Sequence, residues 1–227
     1  MSEKLGYRIK ESSEKPSKEL VKKFKGYPTG NVVDAMDRTG AMNYKIKPVD
    51  SSMKMVGVAL TVKARPCDNL IIYKALEMAE DGDVLVITNG EYTGASTWGD
   101  LTSMIGAQKK IAGMVTDGLI RDIQGISEVG LPVYAQGSSP NSPFKDGPGE
   151  INFTISCGGV VVNPGDIIVG DRDGIVVVPR EIAEEVAAKL PAIAEKEEKI
   201  VKDIKSGKLI PDWVPARLSE VGYKIEK

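Results

Sequence analysis

The chain changes pattern once, and that change limits its fold. From Pro28 to Ala135 helical periodicities alternate with short apolar runs. From Ile151 onwards only strand-like runs remain, at 151–156, 159–162, 167–169 and 175–178, separated by Gly, Pro and Asp. The first pattern is that of βα units and the second that of hairpins. A repeated dinucleotide-binding fold is therefore excluded, and a mixed β/β/α sandwich fits. Val84-Leu85-Val86-Ile87 is apolar without alternation, as expected of a strand covered on both faces. Ser138–Gly149, between the halves, is a Pro/Gly/Ser loop whose length suits a lid or a subunit contact.

Local signals divide the chain further. A short helix is expected over Ser17–Lys25, and a second is expected to be capped by Thr29 and ended by Gly40. Met53–Ala64 reads as a strand pair with Gly57 at a bulge or close contact. A helix over Leu70–Ala79 and the Val84–Thr88 strand follow, then a helix from a Thr97 cap to Lys110 and a strand at Met114. A further helix is read from Leu119, then a strand at Pro132–Ala135, and Arg180–Lys205 is helical with Pro191 inside. The expected organisation is a helical extension over 1–27, a body over 28–207 and a tail over 208–227. That tail, with Leu209, Ile210, Trp213 and Val214, is too apolar to hang free and is expected to dock on the body or a neighbouring subunit.

Composition removes several chemistries. The 227 residues carry a net charge of −2, which gives no electrostatic case for nucleic acid or an anionic membrane. Histidine is absent, which excludes imidazole acid–base chemistry, His-based triads and His-bearing zinc sites. Met1–Glu19 is rich in Lys, Glu and Ser without an apolar run, so no secretory signal is expected, and a cytoplasmic location with Cys67 and Cys157 as free thiols is. Catalysis, if present, falls to carboxylates, Lys, Arg, Tyr, Ser/Thr, thiols or a metal-bound water.

One stretch concentrates such groups. Gly99-Asp100-Leu101-Thr102 and Arg121-Asp122 stand at what read as two helix starts, with twenty residues between Asp100 and Arg121. Unpaired amides at helix starts favour anions. An arginine offers a fork matched to a carboxylate, and aspartates offer hard oxygen ligands to Mg²⁺ or Mn²⁺. From the residues alone two readings stay open: Arg121 grips a ligand carboxylate, or it pairs with Asp117 or Asp122. A cation in a helix's first turn opposes the dipole by roughly 0.3–1 kcal/mol, which argues for something that compensates it there.

Asp100, twenty residues, then Arg121-Asp122 resembles the signature of the 4-hydroxy-4-methyl-2-oxoglutarate aldolase family, which also contains the regulator of ribonuclease activity A. The similarity extends through Leu131-Pro132-Val133, Gly159–Ile168 and Asp171–Pro179, and so over roughly residues 28 to 200. The resemblance implies the swivelling β/β/α fold, here with mixed sheets, N-terminal helices and a C-terminal helix. It implies a divalent cation (Mg²⁺ or Mn²⁺) on Asp122, and Arg121 on the carboxylate of pyruvate or its parent 2-keto acid. The Gly99, Asp100, Leu101 and Thr102 backbone would meet the keto acid, and Asp100 would steer a water of the metal shell. Many relatives carry Glu at the Asp100 position, one methylene longer. The activity implied is aldol cleavage of a 4-hydroxy-2-keto diacid, with oxaloacetate decarboxylation beside it, in a homotrimer or a dimer of trimers. Regulation of a ribonuclease by protein binding is the alternative the family raises.

Overall fold

The computed structural model describes residues 6–224. The first half of the chain supplies β1 (Tyr7–Ile9), α1 (Lys18–Lys22), α2 (Thr29–Ala35), β2 (Lys47–Pro48), β3 (Met55–Ala64), α3 (Leu70–Met78) and β4 (Asp83–Thr88). The middle supplies β5 (Ser96–Trp98), α4 (Asp100–Gln108), β6 (Gly113–Thr116), β7 (Leu119–Ile120), α5 (Ile123–Val129), β8 (Val133–Ala135) and β9 (Gly137–Ser138). Then come β10 (Gly149–Ile151), β11 (Ile155–Cys157), β12 (Val160–Val162), β13 (Ile167–Asp171), β14 (Gly174–Val178), a 3₁₀ turn (Arg180–Ile182), α6 (Ala183–Lys205) and α7 (Trp213–Glu220).

β3 organises the large mixed sheet. Its first residues pair antiparallel with β13, its centre runs parallel to β4, and its end pairs antiparallel with β10. The path is β1-β10-β3-β4-β6-β8-β2, with β13 and β14 branching from β3. Period-two alternation splits the strands between two cores. Leu60, Val62, Leu85, Ile87 and Met114 face Ile72 and Leu76 of α3 and Ile126 of α5. Ala59, Val84, Val86 and Val115 face Ile155, Cys157 and Val162 of the β11–β12 hairpin and Ile175 and Val177 of β14. β4 is thus buried on both sides, as its unbroken apolar run predicts, and the layers are hairpins, sheet and helices.

Met55–Ala64 is one ten-residue strand rather than two. Gly57 marks a close approach within it: a Cβ there would lie 2.4 Å from the Gly82 carbonyl oxygen and 2.7 Å from Ala112 Cβ. Gly57→Ala should therefore destabilise the fold by about 1–3 kcal/mol, the usual cost of forcing a methyl into a filled core. Urea unfolding followed by circular dichroism measures it, and an unchanged midpoint would contradict the packing.

Other boundaries move as well. Ser17 caps α1 through its side chain, whereas Thr29, the expected cap of the second helix, does not cap α2. Thr29 is the first helical residue, and its N–H and hydroxyl donate to Asp171 at 2.8 Å each. α2 ends at Ala35, followed by left-handed Asp37 and Arg38, before Gly40 is reached. The first 27 residues are not purely helical, because β1 adds to the sheet edge beside β10, where Arg8 Nε meets Glu150 Oε1 at 2.6 Å. The compact body ends at Leu190, the last buried residue of α6, and a second unit begins at Pro191, not at 208. That unit comprises the remainder of α6 and α7. No described helix is long and apolar enough to cross a membrane.

Candidate active site

A second, smaller sheet builds the site. β5, β7 and β9 are two or three residues each and all parallel, with Ser96 opposite Leu119 and Leu119 opposite Gly137. Their carboxyl ends therefore emerge along one edge, where crevices in parallel sheets bind ligands. β5 delivers Gly99 and the start of α4, β7 delivers Arg121-Asp122 and the start of α5, and β9 delivers the loop through Ser142. Backbone bonds lock the three together: Arg121 N–H donates to Trp98 O at 3.0 Å, and Ser139 N–H to Ile120 O at 2.9 Å. Buried Trp98 donates from Nε1 to Ser103 Oγ at 2.6 Å, fixing the first turn of α4.

This geometry corrects two local expectations. Thr97 lies buried in β5 and does not cap α4; the N-cap position belongs to Gly99. Leu119-Ile120 is strand, so Arg121 and Asp122 precede α5 rather than sitting in its first turn. Asp122 occupies the N-cap position in the left-handed region, φ +57°, a conformation that aspartate tolerates better than most residues.

The six residues singled out, Gly99, Asp100, Leu101, Thr102, Arg121 and Asp122, line one cleft of about 80 Å³. Its size suits a short acid. A larger groove of about 440 Å³, bordered by Lys25, Tyr27, Lys54 and Asp171, holds none of these six. Asp117 is not the partner of Arg121. It is 2 % exposed, and it accepts from Thr88 Oγ1 at 2.6 Å and Asn89 N–H at 3.0 Å. Burial pushes its carboxyl above the ordinary range. Arg121 Nε instead donates to Asp122 Oδ2 at 3.1 Å, with the two side chains 38 % and 36 % exposed. Arg121 Nη1 donates to Ser142 Oγ. The guanidinium is thus aimed by two fixed groups and keeps further N–H donors for a ligand.

The start of α4 is packed tightly against this pair. A Cβ on Gly99 would lie 2.5 Å from Asp122 Oδ2, and one on Gly125 would lie 2.8 Å from Asp100 Cβ. Two of the expected amide donors are already engaged: Gly99 N–H donates to Thr102 Oγ1 at 2.9 Å, and Leu101 N–H to Asp100 Oδ1 at 2.7 Å. The amides of Asp100 and Thr102, in the first turn, have no helical acceptor.

The loop over 138–149 forms a fixed wall. Asp68 Oδ2 accepts from the Asp146 and Gly147 amides at 2.6 and 3.0 Å, and the Asn69 and Phe144 backbones are bonded at 3.0 Å. Asn69, Tyr73, Ser142 and Lys145 thereby join the cleft, none of which the sequence pattern marks. The loop's Pro/Gly/Ser composition and the helix opening at Asp68-Asn69 were the only signals available. Cys67 and Cys157 are free, as expected, and burial pushes the Cys157 thiol upward. Lys63 is exposed, 4.0 Å from Glu150, and lacks the desolvation that a Schiff-base lysine needs.

Among the described residues no group of three or more Asp, Glu or Cys side chains converges, and the chain has no histidine. The cleft offers two carboxylates, Asp100 and Asp122, so its donor set fits a hard cation that keeps most of its water, as Mg²⁺ does.

The motif and cleft coincide with a known family pattern: the model described as Aldolase/RraA, RraA-like, matches residues 29–177. The chain belongs to the RraA-like family. A Halalkalibacterium halodurans protein named "Putative 4-hydroxy-4-methyl-2-oxoglutarate aldolase" is 38% identical over 189 residues, covering 82% of this chain and 90% of that one. An uncharacterized Methanocaldococcus jannaschii protein is 38% identical over 170 residues, 74% of this chain and 81% of that one. Among solved structures, Streptomyces coelicolor RraAS2, described as an unusual member of the RNase ES inhibitor RraA protein family, superposes with a TM-score of 0.74. It is 27% identical, over 84% of this chain and 99% of that one. The mixed α/β architecture is that of the RraA-like fold.

Proposed function

We propose that this RraA-like protein is a divalent-metal-dependent lyase that cleaves a 4-hydroxy-2-keto diacid, such as 4-hydroxy-4-methyl-2-oxoglutarate, to pyruvate, and decarboxylates oxaloacetate. The observation that carries this reading is the single cleft in which one guanidinium and two carboxylates meet the start of α4. Arg121 would bind the C1 carboxylate through donors not used by Asp122 and Ser142. The Asp100 and Thr102 amides would donate to a second oxygen of the ligand. Asp122, assisted by Asp100, would hold the cation. When bound, the cation supplies Lewis-acid stabilisation of the charge that develops on the keto oxygen.

In aldol cleavage the C4 hydroxyl loses its proton and its O–H electrons close the new C4 carbonyl. The C3–C4 pair passes toward the keto group, and C3 then takes a proton to give pyruvate. Asp100, which lines the cleft, would steer the water that accepts the hydroxyl proton. Loss of CO₂ from oxaloacetate breaks the corresponding C3–C4 bond and needs no hydroxyl base. A homotrimer or dimer of trimers is part of this proposal, and the exposed Leu101, Met104 and Ile105 face of α4 beside the cleft is a surface for it. This reading is preferred to ribonuclease regulation because the cleft retains the charged groups that a purely binding protein does not need.

The direct test is oxaloacetate turnover before and after chelation. EDTA should abolish pyruvate formation and added Mg²⁺ or Mn²⁺ should restore it. Turnover that survives exhaustive chelation would overturn the metal mechanism.

A further inference from the structure

We infer that the half of the substrate released on cleavage occupies a pocket of its own, on the other side of Arg121 and Asp122 from the cleft. This rests on the lyase reading above and assigns a subsite that the cleft does not contain. β7 is the middle strand of the small parallel sheet, so its carboxyl end has a crevice on each side. Toward β5, Trp98 stands opposite Ile120, Gly99 leaves beside Arg121, and the crevice is the cleft of about 80 Å³. Toward β9, Ser138 stands opposite Ile120, so Ser139 leaves on the other flank of Arg121. There a second pocket of about 250 Å³ opens, lined by Arg121, Asp122, Ile123, Ser138, Ser139 and Pro140. Arg121 and Asp122 are the two residues that line both.

The substrate has a matching form. 4-Hydroxy-4-methyl-2-oxoglutarate is the aldol adduct of two pyruvate units, joined at the C3–C4 bond that breaks. At roughly 30 Å³ for each water-sized group, the cleft admits about three groups, which is one pyruvate unit and not two. The second unit passes over the shared pair into the larger pocket, with the scissile bond at the boundary. The lining suits it. Ser139 Oγ accepts from Asn141 N–H at 3.4 Å and keeps its proton to donate, and the exposed Ser138 adds a second hydroxyl donor for carboxylate oxygens. Ile123 and Pro140 offer apolar surface to the C4 methyl. Arg121 has spent two N–H donors on Asp122 and Ser142, which leaves donors for both halves. Oxaloacetate releases only CO₂ in place of a second keto acid, so its reaction does not draw on this pocket.

The test compares kcat/KM for cleavage of 4-hydroxy-4-methyl-2-oxoglutarate and for oxaloacetate decarboxylation in wild type, Ser138→Phe and Ile123→Ala, with thermal melts to verify folding. Ser138→Phe fills the second pocket, and the ratio of cleavage to decarboxylation should fall at least tenfold. Ile123→Ala enlarges it, so the preference for the 4-ethyl homologue over the 4-methyl compound should rise by roughly threefold or more, since one methylene in an apolar pocket is worth about tenfold or more. A folded Ser138→Phe with an unchanged ratio, or with equal losses in both reactions, overturns the inference. If Ser138→Phe does not fold, Ile123→Ala decides, and an unchanged methyl-to-ethyl preference overturns it. A ratio that falls in Lys145→Met but not in Ser138→Phe places the released half inside the cleft and overturns it too. A wild-type protein inactive on both substrates would instead sink the lyase reading, and this inference with it.

Discussion

Arg121→Ala should raise KM for oxaloacetate by roughly 10²–10³-fold while lowering kcat far less. A carboxylate held by charge-assisted hydrogen bonds is worth about 1.5–3 kcal/mol per bond, and each 1.4 kcal/mol is tenfold. The C1 carboxylate carries the same charge before and during C3–C4 cleavage, so Arg121 would bind ground and transition states nearly alike, and its loss falls on KM. Arg121→Lys keeps the charge but loses the planar fork, so its defect should be intermediate, near tenfold. The loss is not one of folding: Arg121 is 38 % exposed, and surface ion pairs of this kind contribute at most about 1 kcal/mol. Steady-state kinetics beside urea melts separate the two effects. A kcat collapse with unchanged KM would remove Arg121 from carboxylate binding.

How much of this was legible beforehand depends on the length scale of each signal. The layered fold was, because β4's apolar run and the helix–strand alternation extend over many residues. The grouping of Gly99–Thr102 with Arg121-Asp122 was also legible, from residue types known to bind acids and cations. The strands that create the grouping were not. β5, β7 and β9 are too short for any period to show, so Thr97 read as a cap and Leu119 as a helix start. Once in place, those strands bring both side chains to the cleft, since Trp98 O takes the Arg121 amide, and Arg121 pairs with Asp122 rather than with Asp117. Asn69, Ser142 and Lys145 stayed hidden for a different reason. They reach the cleft through the bonds of Asp68 to Asp146 and Gly147, a contact across almost eighty residues that no local pattern encodes.

Asp122→Asn should be the more damaging change to metal use, reducing turnover by about 10²–10⁴-fold, the range of about 2.8–5.6 kcal/mol at 1.4 kcal/mol per decade. Asparagine is the informative replacement because it tolerates the left-handed conformation at φ +57° and keeps the backbone carbonyl that accepts from Ile126 N–H at 2.9 Å. Alanine there would add backbone strain to the loss of charge and confuse the two. Among the described residues Asp100 is the one other carboxylate lining the cleft, so the site has few ligands to make up for the missing charge. Removing it also frees Arg121 Nε from its 3.1 Å partner. Carboxylate binding, followed as pyruvate binding by titration calorimetry without added metal, should therefore survive or tighten even as catalysis is lost. Mn²⁺ affinity, read by paramagnetic resonance, should weaken in parallel with turnover. Wild-type Mn²⁺ binding in Asp122→Asn would move the cation elsewhere and leave Asp122 as no more than the counter-ion that orients Arg121.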